Sequence, residues 1–113
     1  MGYAKTPWGK EIPYTSPVTG YKSTLYNIGV VAEAIGRTSQ TIRKWEVAGV
    51  IPPTPFKQKG KRLYSKEHID AIVKCAEKAK IMQGSSVSQT KFSNLLYKEF
   101  QRVNDLFFKK DEE

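Results

Sequence analysis

Between Gly49 and Phe56 the chain reads Gly-Val-Ile-Pro-Pro-Thr-Pro-Phe, and neither a helix nor an interior strand can run through it. Proline has no amide hydrogen to donate and its ring fixes φ, so Pro52, Pro53 and Pro55 impose an extended connector near the middle of the chain. Whatever folds upstream must stop by Gly49, and whatever follows must start afresh.

Upstream, Asn27 can cap a short helix whose apolar residues Ile28, Val31 and Ile35 recur at helical spacing and which Gly36 ends. Thr38 can cap a second helix carrying Ile42, Trp45 and Val47 or Ala48, with Gly49 as its stop. Two short helices joined by a tight Gly-containing turn predict a helix-turn-helix. Trp45, at helical spacing from Ile42, is expected in the core.

Downstream, Lys57-Gln58-Lys59-Gly60-Lys61 is a cationic turn, and Arg62-Leu63-Tyr64 alternates as a return strand should, which predicts a basic β-hairpin. Ser65 can cap a third helix with Glu67 in its first turn and Ile69, Ile72, Val73 and Ala76 as its stripe. After a break at Gly84-Ser85-Ser86, a last helix from about 88 to 109 carries Phe92, Leu95, Leu96, Phe100, Val103, Leu106 and Phe107 on one side. That stripe could pack back on its own domain, but it is large for so small a core, so a protein–protein interface, most simply a homodimer, is the expectation favoured there.

The charge of +8 is unevenly spread. Residues 37–66 hold eight lysines and arginines against one acid, Glu46, so +7 of the excess lies in thirty residues. A merely solvated surface mixes signs along the chain, whereas a concentrated basic window suits a phosphate-bearing partner. Several other classes are disfavoured. There is no apolar run long enough for a membrane span and no signal-peptide pattern at the start, which predicts a cytoplasmic protein. Cys75 is the lone cysteine, too little for a disulfide or a structural zinc site, and is expected to pack as a small hydrophobe. His68 is the lone histidine and is expected on the surface; with no catalytic triad, carboxylate pair or phosphate-cradling glycine loop, an enzyme is not expected, nor a cofactor.

Taken in order, Ile28-Gly29, the turn around Gly36, Thr41-Ile42-Arg43-Lys44-Trp45-Glu46, Gly49-Val50-Ile51-Pro52-Pro53 and Arg62-Leu63-Tyr64-Ser65 resemble the DNA-binding domain of the MerR family of winged-helix regulators. The stretch is also similar to phage excisionases and to the N-terminal domains of some phage small terminases. The resemblance implies a mainly α fold: a winged helix-turn-helix with a small β-hairpin wing, followed here by a C-terminal helix. It implies a bacterial or phage protein that binds double-stranded DNA, most simply a transcriptional regulator, with an excisionase- or terminase-like architectural role as the alternative. The second helix would enter the major groove. Arg43 is the expected base reader, since arginine bonds bidentately to guanine, with Thr41 and Lys44 beside it. Arg37, Thr38 and Gln40 at that helix's start would meet a phosphate, and Lys57, Lys59, Lys61, Arg62 and Tyr64 of the wing would grip the flanking backbone. MerR-type regulators continue into a coiled coil and an effector-binding segment; the last helix here spans about five turns, so no small-molecule effector is expected.

The expected division is therefore an arm over residues 1–24, the winged helix-turn-helix over 25–83, and the C-terminal helix over 84–113. The arm is rich in proline and glycine and shows no strand or helix period. A flexible arm is the default expectation; the alternative is that Lys5, Trp8 and Lys10 lie along the minor groove or dock on a neighbouring subunit, and Trp8, Tyr14 and Tyr21 are more aromatic than a solvated tail needs.

Overall fold

A computed structural model describes residues 11–79 and 89–110 of the chain. The elements run β1 (Ile12–Thr15), β2 (Lys22–Asn27), α1 (Ile28–Ala34), α2 (Ser39–Val47), β3 (Phe56–Gln58), β4 (Lys61–Ser65), α3 (Lys66–Lys78) and α4 (Gln89–Phe108). The winged helix-turn-helix inferred from the sequence is the fold found. The first ten residues, with Lys5, Trp8 and Lys10, and the break at Gly84-Ser85-Ser86 lie outside the described residues.

The first three helices start where the sequence supplies an acceptor for an orphan amide. Asn27 Oδ1 accepts from Val30 N at 3.3 Å, Thr38 Oγ1 from Thr41 N at 3.1 Å, and Ser65 Oγ from His68 N at 3.0 Å. Helix α2 ends at Ala48, and Gly49 turns the chain at φ +81°, a left-handed conformation that glycine adopts without steric cost. The proline connector then carries Ile51, fully buried, into the core.

All four strands join one antiparallel sheet in the order β1-β2-β4-β3. Strand β2 brings Tyr26 opposite Tyr64 and Asn27 opposite Leu63, so it passes straight from the sheet into the cap of α1. This corrects the reading of residues 1–24 as an arm: over the described part, Ile12–Thr15 and Lys22–Asn27 are strands. Pro13 and Pro17 hid them. Pro13 sits on the edge strand β1, where a missing donor is tolerated, while Ile12 and Tyr14 turn inward in an alternation only four residues long.

Helix α4 brings a second correction. Most of its stripe, expected to face a partner chain, is buried on its own domain: Phe92, Leu96, Phe100, Val103 and Phe107 are all at most 3% exposed and share one cluster with Val31, Ile42, Ile69 and Ile72, while Leu95 is half-buried and Leu106 exposed. The core was underestimated because the N-terminal hairpin was not counted in it. Phe107 packs edge-on against Tyr21 at 5.1 Å and Phe56 at 5.2 Å, and tilted against Tyr14 at 6.0 Å. The hairpin turn also caps the helix end, where Ser16 Oγ donates to the Phe107 carbonyl and Thr19 Oγ1 to the Leu106 carbonyl. With that face consumed inside the domain, it no longer speaks for a homodimer. Among the described residues, no helix is long and apolar enough to cross a membrane.

His68 is a third correction, since it is fully buried rather than on the surface. Ser65 Oγ lies 2.6 Å from Nδ1 and Asn104 Oδ1 lies 2.6 Å from Nε2, so the neutral ring bridges the start of α3 to α4 among Phe56, Phe100 and Phe107. The amide oxygen of Asn104 accepts, which makes Nε2 the donor and Nδ1 the acceptor from Ser65. Burial pushes the His68 pKa below the ordinary 6.5, against the opposing pull of Asn104 and Glu67. The unfolded chain then takes up the proton more readily than the folded one. Stability is expected to be full above pH 6.5 and to fall below it, by up to about 1.4 kcal/mol per pH unit until the folded ring also protonates. Urea denaturation at pH 7.5 and 5.5 checks this against a His68→Gln variant, whose pH dependence should be flatter.

Candidate nucleic-acid interface

The basic window of the sequence folds into two surfaces facing one cleft. Helix α1, the turn after it, and Ser39 and Arg43 of α2 form one wall, and Gly60, Lys61 and Arg62 of the β3–β4 hairpin form the other. Between them lies a cleft of about 880 Å³ lined by Asn27, Glu33, Arg37, Thr38, Arg43, Lys61 and Arg62, among others. Four of its thirteen lining residues are cations and one is an acid. The start of α2, with its outward-pointing amides, opens on the same cleft.

On α2 the inward side carries fully buried Ile42 and half-buried Trp45. Gln40, Arg43 and Lys44 are exposed on the other side. Arg37, just before the helix, lies over the Trp45 ring with its guanidinium carbon 5.7 Å from the centroid, and Phe92 of α4 packs against that ring at 5.8 Å. Trp45 therefore sits at the rim of the core, gripped from both sides. Thr38 and Thr41 are already engaged with each other: the Thr38 hydroxyl caps the helix and lies 3.0 Å from the Thr41 hydroxyl.

The wing turns through Lys59 and Gly60, both at positive φ, +52° and +78°. Two left-handed central residues make the type I′ turn whose twist matches paired antiparallel strands. Asparagine or glycine is the usual first residue of such a turn, and a lysine costs about 1 kcal/mol there. The strain keeps a positive charge at the tip of the hairpin. Lys57, Lys59 and Lys61 are all exposed.

Two of the wing residues singled out from the sequence have other work. Tyr64 is fully buried opposite Tyr26, and its hydroxyl has no hydrogen-bond partner among the described residues; burial and the Glu46 charge push its pKa well above the ordinary 10. A side chain so placed is out of reach of DNA, which corrects its assignment as a contact. Arg62 turns its Nε onto Glu46, an acid whose side chain is 7% exposed. Glu46 also accepts the Thr54 amide at 3.2 Å. One carboxylate thus ties α2 to the connector and to the wing.

Sequence reasoning had passed over three features. Glu46 registered only as the lone acid in a basic window, although an acid on the inward side of a basic helix is itself a sign of a partner. Val47, grouped with the core, is 82% exposed. Tyr97 of α4 donates through its hydroxyl to the Gly49 carbonyl at 3.0 Å, and no local pattern links positions 48 residues apart.

Residues 26–77, a little under half of the chain, match the family model described as MerR HTH family regulatory protein. The match runs from Tyr26 in β2 to Glu77 in α3, covering the helix-turn-helix, connector and wing but not β1 or α4. No curated protein and no solved structure matches the chain. Residues 26–77 are thus similar to the helix-turn-helix of the MerR regulatory proteins, and they fold as a winged helix-turn-helix.

Proposed function

We propose that the chain is a sequence-specific regulator that binds double-stranded DNA, with α2 in the major groove and the wing on the flanking backbone. The observation that carries this reading is the exposure of Arg43 and Lys44 on α2 and of Lys57, Lys59 and Lys61 on the wing, with Arg43 and Lys61 lining one cleft. Among the described residues no ion pair engages those side chains, and cations so placed suit a duplex backbone. Arg43 is the base reader: it points away from the core and has the fork geometry for guanine O6 and N7. Lys57, Lys59, Lys61 and Arg37 supply phosphate contacts, which set register and affinity.

Replacing Arg43 with alanine should lower affinity for a site selected from random duplexes by about 1–3 kcal/mol and leave affinity for unrelated duplexes almost unchanged. The ratio of the two Kd values, measured by fluorescence anisotropy, checks this. Equal losses on both duplexes would make Arg43 a phosphate clamp. The selected site also reports stoichiometry, because two copies related by a two-fold axis select a palindrome. Such a pair would meet through some surface other than the buried stripe of α4.

A further inference from the structure

Of the three large apolar side chains on α2, Ile42 is buried, Trp45 half-buried, and Val47 stands 82% exposed. At about 100° per residue, Gln40, Arg43, Lys44 and Val47 fall within about 100° of arc, opposite Ile42. Val47 is therefore on the DNA-facing side, one turn beyond the two cations. That side carries no acid, since Glu46 is turned inward onto Arg62. Valine is a poor helix former when exposed, and its methyls lower solubility, so neither local propensity nor solvation favours it at this position.

A duplex seated on Arg43 and Lys44 meets Val47 next. In the major groove the edges of guanine, cytosine and adenine carry hydrogen-bonding groups and no methyl, and a valine would cover those groups without satisfying them. Thymine alone presents an apolar group there, its C5 methyl. We infer that Val47 is a specificity-determining residue that selects thymine by packing its methyls on the C5 methyl in the major groove. The inference rests on the DNA-binding reading above and adds to it a chemical preference at one base pair.

The test uses the full chain and removes the methyl from the DNA. A bound site is selected from random duplexes, and each thymine in it is replaced in turn by deoxyuridine, which differs only in lacking that methyl. At one thymine the unmodified protein should lose about fourfold in affinity, the equivalent of the ~0.8 kcal/mol for one buried methylene-sized group. Val47→Ala, at an exposed position where alanine also favours helix, should lose the same factor on the thymine site and be indifferent to deoxyuridine. A selected site without thymine, tolerance of deoxyuridine at every position, or an undiminished deoxyuridine penalty in Val47→Ala would overturn the assignment. Failure to bind any duplex is a different result: it would overturn the DNA-binding reading, and this inference with it.

Discussion

Phe107→Ala should destabilise the protein by about 3–5 kcal/mol, a large share of the stability of a domain this size. Phe107 is fully buried and closes the core where both ends of the described chain meet, against Tyr14 and Tyr21 of the N-terminal hairpin, Phe56 of the wing and His68 of α3. Removing the ring deletes these contacts together with that to Phe108, and leaves a cavity whose walls belong to separate elements and cannot easily close. The same geometry predicts that a chain ending at residue 88 will not fold cooperatively, because it would lose Phe92, Leu96, Phe100, Val103 and Phe107 together. Urea denaturation followed by circular dichroism measures both effects. A cost under about 1 kcal/mol, or a cooperative transition in the shortened chain, would show α4 to be an appendage and return its apolar stripe to service as an interface.

Neutralising the wing should produce the largest functional effect. In the combined variant Lys57→Gln, Lys59→Asn, Lys61→Gln, asparagine suits the left-handed backbone at position 59, so the hairpin should be at least as stable as before. Each lysine that releases a counterion from a phosphate contributes about 0.9 to the slope of log K against log salt. Losing all three should flatten that slope by about 2.7 and weaken binding at 0.1 M salt by roughly 100- to 1000-fold, for all duplex sequences alike. Arg43→Ala differs in kind: its loss concentrates on the selected site. A wing variant with an unchanged salt slope would mean that the hairpin does not touch the backbone.

Most of the helix-turn-helix was legible in the sequence because its signals are local. Asn27, Thr38 and Ser65 cap the helices they immediately precede, and Gly49 with Pro52, Pro53 and Pro55 marks the end of α2. The cationic wing was legible for the same reason, its turn and both strands falling within ten residues. What escaped was set by contacts far apart in the chain. Strand β1 is four residues long, contains a proline, and owes its existence to pairing with β2 and to rings contributed by α4. His68 was expected on the surface because it stands near the start of a helix with no companion histidine, cysteine pair or positioned carboxylate. Its burial comes from Phe100 and Asn104, more than thirty residues away. At the site, charge showed which residues belong to it but not which are occupied internally: Arg62 is held by Glu46, and Tyr64 lies in the sheet beneath the wing.

The most direct test of the account is the affinity of the full chain for a random-sequence duplex of about 20 base pairs, measured from 50 to 400 mM salt. Binding by α2 and the wing through several phosphates predicts a linear decline of log K with log salt, at about 0.9 per phosphate contacted, and tighter binding to a selected site at every salt concentration. No binding at 50 mM, or an affinity indifferent to salt, would contradict it.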